Sequence, residues 1–107
     1  MEPDDDQGPQ PTREEIDGTA GPLLLEFGAS WCGHCQALAP QLAALLASYP
    51  TVTHVKVEDG PGKLLGRSFR VKLWPTLVFL RDGQIVTQVA RPGIKEVREG
   101  LEAIAGE

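Results

Sequence analysis

The apolar positions fall into two periods. Leu23 to Phe27 is a compact apolar run behind Gly21-Pro22, interrupted only by Glu26, the pattern of a strand buried on both faces of a sheet. From Gly33 onward Leu38, Leu42, Leu45, Leu46 and Tyr49 share one helical face, and Pro40 is expected to kink that helix rather than end it. Val52 to Glu58 carries three valines and predicts a second strand. Lys63 to Phe69 predicts a short helix after the turn at Asp59-Gly60-Pro61-Gly62. Thr76–Arg81 and Gln84–Ala90 flank Asp82-Gly83, a dipeptide suited to a two-residue hairpin turn. Ile94, Val97, Leu101 and Ile104 mark a last amphipathic helix, weakened by Gly100, which costs about 1 kcal/mol relative to Ala in a helix interior. Ahead of all these, Thr12-Arg13-Glu14-Glu15 fits a capping box for a short helix ending near Gly18. Two parallel strands joined through a helix, then a hairpin and a closing helix, make an α/β fold: a mixed four-stranded sheet covered by helices on both faces.

The length of 107 residues suits one domain. Residues 1–11 hold three prolines, a glycine and four acids, so they are expected to form a disordered acidic tail ahead of a domain at 12–107. The net charge is −5, and residues 1–17 alone hold seven acids against Arg13. Nucleic acid is therefore not expected as a partner, although Lys63, Arg67, Arg70 and Lys72 form a local basic stretch. The longest apolar run, Leu42–Ala47, is far shorter than the roughly 18 residues needed to span a bilayer, so no membrane is expected either. The first residues are acidic where a secretory leader would be basic and then apolar, which gives the expectation of a cytoplasmic protein.

The two cysteines, Cys32 and Cys35, stand where the first strand feeds the first long helix. A bridge closing so short a loop removes little chain entropy, which makes a purely structural role weak. At a helix N-terminus, free N–H groups and the helix dipole favour a thiolate at Cys32. This predicts an outer, exposed Cys32 that attacks an incoming disulfide and an inward-facing Cys35, one turn deeper, that breaks the mixed disulfide. A metal knuckle would need about four ligands, and beyond the cysteines only His34, His54 and scattered carboxylates are candidates. No metal is expected.

With Trp31-Cys32-Gly33-His34-Cys35, Glu26, Pro40, Lys56, Trp74-Pro75-Thr76, Asp82-Gly83 and Gly93, the chain resembles the thioredoxin family from about Leu23 to Ile104. The resemblance implies a thiol–disulfide oxidoreductase with no bound cofactor, acting as a monomer on protein disulfides and served by a reductase or oxidant still to be identified. It implies that Glu26 relays protons to and from Cys35. Lys56 matches a family lysine that approaches this acid, although strand alternation alone equally suits an exposed lysine. It implies a cis Pro75 facing the disulfide, with Trp31, Trp74, Pro75 and Gly93 lining the substrate groove. Gly33-His34 between the cysteines is the disulfide-isomerase form of the tetrad, and a protonated or hydrogen-bonding His34 would make the couple more oxidising.

Two departures stand out. Most members carry an aromatic residue where this chain has Gly28 and a smaller residue where it has Trp74, giving the expectation that Trp74 fills the space vacated at Gly28. Residues 1–11 offer no β pattern, so the family's first strand is expected to be missing and Val52–Glu58 to form a sheet edge. The alternative to an enzyme is a thioredoxin-like binding module whose groove holds a partner with affinity modulated by redox state.

Overall fold

The computed structural model describes residues 10–106. Most of the expected tail, residues 1–9, lies outside them. Helix α1 (Arg13–Asp17) begins on Thr12, whose hydroxyl accepts from the Glu15 N–H while the Glu15 carboxylate accepts from the Thr12 N–H. There follow β1 (Pro22–Gly28), α2 (Gly33–Leu46), β2 (Thr53–Glu58), α3 (Leu64–Ser68), β3 (Thr76–Arg81), β4 (Gln84–Ala90) and α4 (Ile94–Ala105).

Among the described residues the sheet has four strands in the order β2-β1-β3-β4. β1 runs parallel to β2 and antiparallel to β3, and β3 runs antiparallel to β4. β2 is therefore an edge and β1 is central. The hairpin turns on Asp82 and Gly83, both with positive φ, as its two-residue connection requires. Helix α2 continues through Pro40 without interruption.

Alternation along β1 divides the core. Leu23, Leu25 and Phe27 pack with Ile16, Val57, Leu65, Phe69, Val78 and Leu80 on one face. Leu24 joins Leu38, Leu42, Leu77, Phe79, Val97, Leu101 and Ile104 on the other, the face under α2 and α4. Glu26 shares parity with Leu24, so it projects from the centre of the sheet toward the same face. That is how a charged residue comes to lie buried beneath the start of α2.

Candidate active site

The chain leaves β1 at Gly28 and enters α2 through a loop held at several points. The Asp59 N–H donates to the Gly28 carbonyl (2.8 Å), tying the ends of β1 and β2 together, and the Cys32 N–H donates to the Ala29 carbonyl (3.0 Å). The Gln36 side chain donates to the Ser30 carbonyl (2.9 Å). Cys32 is thereby fixed as the N-cap of α2, its sulfur accepting from the Cys35 N–H at 3.2 Å.

The facing wall is the connection from α3 to β3. The Trp74–Pro75 peptide bond is cis. The Arg91 N–H donates to the Pro75 carbonyl (2.7 Å) and its guanidinium Nε to the Trp74 carbonyl (2.9 Å). That same Trp74 carbonyl faces the Cys32 sulfur at 3.8 Å. The Trp74 indole donates to the Asp59 carboxylate (2.9 Å) and meets Trp31 edge-on, with ring centroids 5.3 Å apart. Trp31 is 72% exposed. Pro75 is buried, and Gly93, exposed, begins α4 with its N–H on the Glu96 carboxylate (2.9 Å).

Both cysteines are free thiols, and they differ in their acidity. Burial works against the Cys32 thiolate, but the Cys35 thiol, the N–H groups of Cys35 and His34, and the charge of Arg91 outweigh it and lower its pKa. Cys35 is pushed up to about 11 by burial, by its hydrogen bond to Cys32 and by the charges of Cys32 and Glu26, against a smaller opposing contribution from an Ala29 backbone hydrogen bond. The expected exposures are reversed: Cys32 keeps only 6% of its surface, whereas Cys35 is partly exposed. The Trp74 carbonyl lies against Cys32, while Cys35 and Gly28 line a cavity of about 120 Å³ that also reaches Glu26.

Gly28 and Trp74 also correct the expectation that joined them. A Cβ at Gly28 would lie 2.7 Å from the Cys35 sulfur, and no atom of Trp74 comes within 4 Å of that point. The glycine makes room for sulfur. Trp74 instead spends its bulk on Trp31 and its indole N–H on Asp59.

Glu26 is 4% exposed, and its Oε1 lies 2.7 Å from His54 Nε2. Lys56 is opposite Glu26 in the β1–β2 register and lines the cavity, but among the described residues it forms no ion pair with it. The approach to the acid expected of Lys56 is made by His54. The signal was available in strand parity, since His54 and Lys56 are two apart on β2 and must share a face. Arg91 and Asp59 were also missed; neither has a local pattern, because each meets its partner through tertiary structure. His34 and Gly33 are exposed on the first turn of α2. Among the described residues no three His, Cys, Asp or Glu side chains gather as a metal site, and no helix is long and apolar enough to cross a membrane.

A strand-to-helix dithiol facing a cis-proline loop on a four-stranded mixed sheet defines the class of thiol–disulfide oxidoreductases with this fold. The family model described as Thioredoxin matches residues 10–103, and the chain belongs to the thioredoxin family. It is 39% identical over 83 residues to a type H thioredoxin of Ricinus communis, covering 78% of this chain and 70% of that protein. It is 51% identical over 65 residues to protein disulfide-isomerase A2 of Pongo abelii, a match spanning 57% of this chain and 12% of the isomerase. Among solved structures, thioredoxin 2 from Pseudomonas aeruginosa PAO1 in its reduced form superimposes with a TM-score of 0.80 at 58% identity, covering 91% of each chain. The chain is a disulfide oxidoreductase, and its family implies protein disulfides as substrates and reductases as partners.

Proposed function

We propose that the chain exchanges disulfides with proteins through Cys32 as nucleophile and Cys35 as resolving thiol. The Cys32 thiolate attacks a substrate disulfide, forming a mixed disulfide and releasing one substrate sulfur, which takes up a proton. Cys35 then gives its proton to Glu26 and attacks the Cys32 sulfur. The Cys32–Cys35 bond forms, the second substrate thiolate leaves, and two electrons have passed to the substrate. Trp31, Trp74, Pro75 and Gly93 form the groove that receives the substrate segment, and Gly33-His34 sets the electrostatic surroundings of Cys32. Lys56 belongs to this reading only as a charge at the cavity beside Glu26.

The observation that carries the reading is the asymmetry of the two sulfurs: one accepts N–H and S–H donors at a helix start, while the other is pushed up to about 11. Brief alkylation of the reduced protein near neutral pH followed by peptide mapping is expected to label Cys32 first. Cys35→Ser is expected to trap the mixed disulfide with a protein substrate and Cys32→Ser to abolish exchange. Equal labelling of both sulfurs contradicts the assignment, and full cellular function in Cys32→Ala would assign the groove to a binding module.

A further inference from the structure

Resolution by Cys35 through Glu26 leaves a proton on a buried carboxylate. Glu26 lies at the centre of the sheet with 5% of its side chain exposed, and each resolution step by Cys35 delivers one proton to it. That proton must leave before the next cycle. Among the described residues the Glu26 carboxylate makes one side-chain hydrogen bond, with His54 Nε2 at 2.7 Å. His54 stands on the edge strand β2 and keeps 27% of its side chain in solvent, and its ring carries a second nitrogen. The pair thus spans the distance from the buried acid to water through one hydrogen bond.

We propose that His54 is the positioning residue through which Glu26 exchanges its proton with solvent, so that the Cys35 step acquires a pH dependence of opposite sense in the two directions of exchange. This rests on the reading in which Glu26 takes the Cys35 proton. One hydrogen bond joins the carboxyl to the imidazole, so the two groups hold the arriving proton between them. When the pair carries few protons, it accepts the one from Cys35, Cys35 attacks the Cys32 sulfur and the substrate thiolate leaves. When acid loads the pair, that transfer is opposed and resolution slows. In reverse, an incoming thiolate attacks Cys32 in the Cys32–Cys35 disulfide, Cys35 leaves as a thiolate and takes its proton from the pair, a step that acid favours.

The surroundings leave histidine as the side-chain type with an ordinary titration between about pH 5 and 8. β1 offers Glu26, and β2 adds Lys56 and Glu58 on the same face. Helix α2, over this face, has no charged side chain between Gly33 and Leu46 and carries His34 and Cys35 at its start. Tyr49, after α2, donates to Glu102 of α4, whose other charges are Lys95, Glu96, Arg98 and Glu99. His34 is therefore the residue to be separated from His54.

Stopped-flow reaction of the reduced protein with a chromogenic aromatic disulfide releases one coloured thiolate on mixed-disulfide formation and a second on resolution, so the two steps are read separately. Between pH 7.5 and 5.5 the second phase is expected to slow about ten-fold more in the unmodified protein than in His54→Gln, as one histidine-like titration requires, with the first phase alike in both. The difference must survive His34→Gln. A second phase in His54→Gln with the unmodified pH profile overturns the proposal, as does a profile abolished by His34→Gln instead. Glu26→Gln separates the two ideas. If it slows resolution while His54→Gln does not, the Glu26 reading stands and the His54 proposal falls; if it leaves resolution unchanged, both fall. Should His54→Gln not fold, NMR titration of the His54 ring in the unmodified protein decides: its midpoint must move between reduced and oxidised states, and identical curves overturn the proposal.

Discussion

At the scale of single residues, the site depends on what is absent as much as on what reacts. Cys35 lies against Gly28, and a Cβ there would intrude to 2.7 Å from its sulfur. Gly28→Ala should therefore displace the Cys35 thiol and, in the proposed exchange, slow the second phase more than the first, with a stability cost of about 1–3 kcal/mol by overpacking. Stopped-flow exchange and urea unfolding check both parts; equal slowing of the two phases would place the damage elsewhere. His34→Pro removes a side chain that is a donor and, when protonated, a charge from the turn carrying Cys32, and should make the couple more reducing when equilibrated with glutathione. An unchanged potential would leave the poise to the Cys35 N–H and Arg91, which already favour the Cys32 thiolate. The cysteines and the turn between them were legible because spacing and a helix start are local facts. His54 on Glu26 and Arg91 on Trp74 were not, since each contact joins segments that meet only after folding.

Secondary elements were the most legible level, because hydrophobic period and turn residues act over a few positions. The hairpin strands fall where Asp82-Gly83 placed them, and α1 sits on the capping box read from Thr12 and Glu15. What period could not show is how closely elements approach. Gly100 reads from sequence as a weak point of α4, yet a Cβ there would meet the Phe79 ring at 2.6 Å. The glycine lets α4 settle on β3, where Val97, Leu101 and Ile104 join Phe79 in one apolar cluster. Helix propensity alone predicts that Gly100→Ala stabilises by about 1 kcal/mol. Overpacking against a buried ring costs about 1–3 kcal/mol and should win, so the variant is expected to unfold at lower urea concentration. A higher midpoint would show that Phe79 yields and that propensity decides.

For the whole molecule, the edge position of β2 was inferable only because residues 1–11 lack a β pattern, and the strand order of the described residues puts the reactive turn at the end of the central strand β1. The Gln10 side chain caps the Glu58 carbonyl at 2.6 Å, meeting part of that edge. Register then couples the site to the stability of the entire fold, because the native packing that orders the two sulfurs also separates their acidities. Cys32 titrates below its ordinary value of 9.0 in the folded state. As pH rises toward 9.0 the native state has released that proton while the unfolded chain still holds it, so stability increases with pH in this window. Cys35 has the opposite sign. Between 9.0 and about 11 the unfolded chain loses the Cys35 proton while the native state retains it, and stability falls. Reduced protein compared with the Cys32→Ser/Cys35→Ser variant should therefore gain in relative stability up to about pH 9 and lose it again toward pH 11, other titrations cancelling in the difference. Urea midpoints measured across pH 6 to 11 on both proteins test this. A difference that rises throughout would mean that Cys35 is not held in its thiol form by the fold, and one that falls throughout would remove the stabilised Cys32 thiolate.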